Sequence, residues 1–105
     1  MLIVTSDTIT DKNIVETLGL VKGQIVQSKH LGKDFMAGMK NLVGGEMKSY
    51  TEMLSEAREV ATKRMVEEAK VLGADAIVSV RFGSSAVVQG AAEILAYGTA
   101  VKLQK

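Results

Sequence analysis

Residues 91–104 read AAEILAYGTAVKLQ. Laid out as a β-strand, Leu95, Tyr97, Thr99, Val101 and Leu103 share one face, and Ile94, Ala96, Gly98 and Ala100 share the other. The alternation separates large residues from small ones, not apolar from polar, so both faces of the strand are largely apolar. A single helix covers only one face of a small sheet. The rest of a 105-residue chain offers little to cover the second. Another copy of the chain is therefore expected to supply that cover.

The helix is legible upstream. Tyr50, Met53, Leu54, Ala57, Val60, Ala61, Met65, Ala69 and Leu72 recur at spacings of three and four, which makes one continuous apolar face. Ser49 with Glu52 fits the S-x-x-E capping box, in which a hydroxyl and a carboxylate satisfy amides of the first turn. Gly73 stands where a left-handed residue ends a helix. About 23 residues rising about 1.5 Å each give a rod of roughly 35 Å. On either side lie strand patterns: Leu2–Thr5, then the β-branched run from Asn13 to Ser28, then ADAIVSVRFG at 74–83. Gly23 is expected to make the second of these a hairpin or a bulged, bent strand. SSAVVQG at 84–90 is expected to be the loop joining the last two strands. In KDFMAGMKNLV, residues 33–43, Phe35, Met39, Leu42 and Val43 predict a short amphipathic helix.

The sequence thus predicts an α+β fold. A small antiparallel sheet packs on one long helix, with a short helix beside it, in two layers and in one domain spanning residues 1–105. No apolar run reaches the roughly 18 residues needed to cross a bilayer, so no membrane partner is expected. MLIVTSDTIT, lacking a basic lead and a small-residue cleavage pattern, reads as a strand and not as a signal peptide. With no cysteine, disulfides, thiolate catalysis and Cys-rich zinc sites are excluded. Thirteen basic and twelve acidic residues are intermixed, and only four aromatic residues are present. Nucleic-acid binding is accordingly not expected. A cytoplasmic protein is.

Gly44 and Gly45 precede the long helix and invite two readings. Backbone amides near a helix start can hold an anion, but neither phosphate-loop glycine pattern is present, and Glu46 puts a carboxylate where the anion would sit. A hinge between the two helices is the reading the residues carry. His30, the one histidine, and Asp34 form H-x-x-x-D, which on a helix would bring both within reach of one metal ion. Met36 could add a soft ligand. Lys29 and Lys33 would repel a cation, and two ligands make a weak site, so a solvated histidine competes with the metal reading. Ser84 and Ser85 have no recognisable base, and no catalytic residue is assigned. Arg81 and Glu93 either pair across two strands or stand wet at the sheet edge.

Four stretches together carry a family likeness: ETLGLVKGQIVQS, KDFMAGMKNLVGGEMKSY, LGADAIVSVRF and AYGTAV. They resemble the YbjQ-type family of small bacterial proteins, labelled a "putative heavy-metal-binding domain". Asp34, Asn41, Gly44, Gly45 and Tyr50 fit D-x(6)-N-x-x-G-G-x(4)-Y. Gly73, Ala74, Asp75 and Ala76 fit the second motif, and Tyr97, Gly98, Thr99, Ala100 and Val101 the third. TITDKNI, residues 8–14, departs from the pattern by lacking a proline often found there. The resemblance implies an α+β subunit assembled into a ring of five, with no established activity and no cofactor. The leading expectation is a non-enzymatic oligomer built for assembly or for binding a small ligand. Heavy-metal binding through His30 and Asp34 is the alternative, and an enzyme with its site between subunits is the second.

Overall fold

A computed structural model of the chain describes residues 1–28, 46–88 and 91–105. Four strands and one helix are formed: β1 (Leu2–Ile3), β2 (Ile14–Ser28), α1 (Glu46–Val71), β3 (Ala76–Val88) and β4 (Ala91–Leu103). The sheet order is β1-β3-β4-β2. Strand β4 lies between β3 and β2 and is antiparallel to both. The chain leaves β2, passes through α1 and returns as β3 on the far side of β4. The sheet is mixed and not purely antiparallel, because β1 pairs parallel to β3, Leu2 with Ala76 and Ile3 with Ile77.

Helix α1 begins at Glu46, three residues before the expected start, so Ser49 lies inside the helix and does not cap it. The expected short helix around Phe35–Val43 lies outside the described residues. The C-terminal end follows the sequence. Gly73 has a φ of 79°, the Ala74 amide donates to the Ala69 carbonyl at 3.0 Å, and the Gly73 amide donates to Lys70 at 3.0 Å. Those two bonds make a Schellman cap, which satisfies carbonyls the helix would otherwise leave open. Leu72, assigned to the apolar face by spacing, falls within this turn and is exposed.

The helix lies chiefly over β2 and β4, and only slightly over β3. Its buried stripe is Ala57, Ala61, Met65 and Ala69, one residue in every four. These pack on Val21 of β2, Ile77 and Val80 of β3, and Ile94, Ala96 and Ala100 of β4. Three of the four helix residues are alanine, and on the strands Gly23, Ala96 and Ala100 lie among larger Val and Ile side chains, so the backbones approach closely where small residues meet. At Gly23 the approach is closest. A Cβ there would collide with the Ala61 carbonyl oxygen and the Met65 amide nitrogen, and would lie 2.8 Å from Arg64 Cβ. Gly23 is therefore neither a hairpin turn nor a bulge. Strand β2 runs unbroken through it, and its register shifts fall earlier, between Ile14 and Glu16 and between Thr17 and Gly19.

Strand β3 is longer than expected, because Ser84 to Val88 continue it. Between Val78 and Arg81 its pairing with β4 slips by one residue, and Ser79 takes a φ of 54°. The N-terminal segment closes around this bulge: Ser79 N–H donates to Ser6 at 2.8 Å and Val80 N–H to Val4 at 3.0 Å. A second core forms there on the helix-free side, where Val4, Ile9, Ile14 and Leu103 pack on Ala76, Val78 and Val101. Part of the second face is thus covered from within the chain.

The two strand glycines on opposite sides of the sheet should respond in opposite ways. Gly23→Ala is expected to cost at least about 1–3 kcal/mol, the range for forcing extra volume into a packed contact. At Gly83 an added Cβ meets nothing within 4 Å, and Gly83→Ala should be neutral or slightly stabilising. Urea denaturation of both variants checks the pair.

Candidate functional site

Asp75 and the YGTAV stretch hold the most informative of the motif residues. The Asp75 carboxylate accepts the Leu103 amide at 2.9 Å, and the Asp75 amide donates to the Val101 carbonyl at 2.9 Å. The residue after the helix cap is thereby fastened to the end of β4. Gly98 sits opposite the β3 bulge, where a Cβ would fall 2.8 Å from Ile77 Cγ2 and 3.0 Å from the Val78 carbonyl oxygen. Thr99 and Tyr97 flank it on the helix-free face; Thr99 is half-buried and Tyr97 is exposed. Gly73, Asp75 and Gly98 thus converge on one structural task, which is to lock the helix exit and the bulge against β4.

The remaining predicted positions divide by location. His30, Asp34, Asn41, Gly44 and Gly45 lie outside the described residues, and Tyr50 is in the first turns of α1. No group of three or more His, Asp or Glu side chains suited to a metal ion occurs among the described residues. The suggested Arg81–Glu93 pair does not form. Arg81 stands opposite Tyr97, whereas Glu93 stands opposite Ser85 and Val26. The Arg81 guanidinium instead donates to the Thr5 carbonyl at 2.8 Å and to Val80 at 2.9 Å. Ser84 and Ser85 lie on β3, paired with Ile94 and Glu93, and not in a loop.

Among the described residues, two surfaces stand open. On the helix side, where α1 leaves β3 uncovered, Phe82 is 51% exposed. It borders a groove of about 330 Å³ lined by Leu54, Arg58, Ser84 and Ile94. Among the described residues that line it, none can take the Ser84 proton and so activate that hydroxyl as a nucleophile. On the helix-free side, Leu20 (65% exposed) and Val26 (50%) of β2 share a face with Leu95 and Tyr97 of β4, Leu20 opposite Thr99 and Val26 opposite Glu93. Lys22, Gln24 and Glu93 are interspersed on this face. Uncovered apolar residues among polar ones on a sheet face mark a contact surface more than a catalytic one.

The family model described as "Putative heavy-metal-binding" matches residues 1–104. The chain belongs to this YbjQ family. Relatives named UPF0145 protein are similar along their whole length. The one from Fervidobacterium nodosum is 64% identical, covering 100% of this chain and 97% of its own. That from Clostridium novyi is 60% identical, over 98% and 99%. Among solved structures, a protein of unknown function from Pediococcus pentosaceus, assigned to the DUF74 family, superposes with a TM-score of 0.67. It covers 99% of this chain and 98% of its own, at 17% identity, and so shares the fold alone. The YbjQ chain has no helix among its described residues long and apolar enough to cross a membrane.

Replacing Asp75 by Ala leaves the Leu103 amide without its carboxylate acceptor. The expected loss is about 0.5–1.5 kcal/mol, the range for an ordinary hydrogen bond, because this one is exposed to water. Thermal unfolding should show it, and the Leu103 amide should exchange faster in the variant.

Proposed function

We propose that this YbjQ chain is a non-enzymatic, cytoplasmic assembly subunit that closes with copies of itself into a ring of five. Any small-molecule ligand would be held between subunits. The observation that carries the reading is the helix-free face. The N-terminal segment covers only the end around Val78 and Val101, while Leu20, Val26 and Tyr97 stay open beyond it. Burying an apolar side chain of that size contributes about 1.5–3 kcal/mol, so cover by identical neighbours is well rewarded. The ring size rests on the family likeness of the motif residues. Native mass spectrometry of protein released gently from cells is expected to give five times the 11.2 kDa chain mass. Leu20→Asp with Val26→Asp should shift it to single chains. Wild type found only as single chains at low micromolar concentration would refute the reading.

The family's description favours a second reading, heavy-metal binding at His30 and Asp34. The donor set is thin, with one histidine and no cysteine in the chain, whereas soft metal ions are normally held by thiolates. Calorimetric titration with Cu, Zn, Ni and Cd ions separates the two. Heat of binding abolished by His30→Ala would support the metal site, and no heat with any ion would dismiss it. A site for catalysis between subunits is a third reading, which bound substrate at a subunit boundary would support.

A further inference from the structure

Among the described residues, β2 is an outermost strand of the sheet. It is a hazardous one. It runs for 15 residues, the chain has no proline to interrupt it, and Leu20 and Val26 are exposed along it. Long, apolar edge strands recruit strands from other molecules. Alternate residues of an edge strand turn both backbone groups outward, and at the middle of β2 those residues are Lys22 and Gln24. Both have partners on the helix. The Lys22 amide donates to Glu68 Oε1 at 3.3 Å. The Gln24 carbonyl accepts from Arg64 Nη1 at 2.6 Å.

The two side chains are four residues apart on α1, so they project from successive turns toward the same edge. They reach around it because Gly23, the residue between Lys22 and Gln24, lets the helix backbone sit directly on the strand. Arg64, Glu68, Lys22 and Gln24 line one shallow recess there. We propose that Arg64 and Glu68 form a latch that keeps the outer edge of β2 closed to a strand from a second copy of this chain. A donor and an acceptor that an incoming strand would need are already in use. Contacts between copies are thereby directed away from open-ended strand-by-strand growth.

The test uses the full chain and does not depend on the wild-type oligomeric state. Arg64→Ala with Glu68→Ala removes both latch groups and keeps strong helix formers in place. Lys63→Ala with Glu67→Ala makes the same charge change on neighbouring positions that make no bond to β2. The latch variant is expected to exchange the Lys22 amide at least tenfold faster than wild type, read by NMR. It should also form thioflavin-T-positive species that grow with time and concentration, while the control pair behaves as wild type. Adding Lys22→Pro to the latch variant removes a donor from the edge and should suppress that growth. An opened edge with no growth overturns the proposal, and so does growth that Lys22→Pro leaves unchanged. Should the double variant lose its fold, the single Glu68→Ala carries the same readings.

Discussion

At Gly23 the backbone of the helix rests on the backbone of a strand with no side chain between them. The rest of the architecture follows from that contact. Close approach multiplies dispersion contacts that are individually small, and small residues at the points of contact permit it. The helix supplies Ala57, Ala61 and Ala69, and β4 supplies Ala96 and Ala100. Met65 is the large buried side chain of the stripe, and its flexible thioether fits the irregular space the small residues leave. A spacing of four between the buried helix residues follows one ridge inclined to the helix axis, and that ridge packs on β2 and β4.

Packing small residues against the helix has a consequence for the opposite face. A strand alternates, so the bulk that the helix side cannot accept has to stand on the other side. There Leu95, Tyr97, Val101 and Leu103 of β4 share a face with Leu20 and Val26 of β2, which stand opposite Thr99 and Glu93. The chain spends its N-terminal segment on one end of this face, stitching it through the Ser79 bulge and the Arg81 guanidinium. It has no comparable cover for the other end among the described residues. The exposed strip is thus the counterpart of a close helix contact, not an independent feature of composition.

Several of these relations were legible in the residues alone. The division of β4 into large and small faces, the stop at Gly73 and the amphipathic helix follow from periodicity and from the backbone needs of one glycine. Other features were hidden because they depend on partners distant in sequence. Gly23 looks like a turn when read beside Lys22, and becomes a contact point only when Ala61 and Met65 are placed above it. SSAVVQG reads as a loop on propensity, yet Ser84 and Ser85 pair with β4 because the ladder carries them. Arg81 and Glu93 look complementary until the register, shifted by the bulge, sets Arg81 against Tyr97. The Arg64–Glu68 latch left no mark beyond an ordinary i,i+4 charge pattern, since its acceptor and donor are backbone groups. The metal candidates His30 and Asp34 lie outside the described residues.

The two sides of the sheet's perimeter are handled by different chemistry. On β2 the helix closes the middle of the edge with side chains. On β3 the N-terminal segment closes the start of the edge with backbone hydrogen bonds, ending where Arg81 reaches Thr5. Beyond Arg81, the run Gly83-Ser84-Ser85 is a poor template for strand addition, because small polar residues offer an incoming strand little to pack against. Apart from Phe82 on the helix side, the uncovered apolar residues Leu20, Val26 and Tyr97 of the described strands β2 and β4 lie on the helix-free face. Association through a face is governed by side-chain shape, which fixes the angle between neighbours and so permits a closed assembly. Association through an edge repeats a ladder and has no inherent end. A fold that shields part of each edge and leaves part of one face bare favours the first over the second.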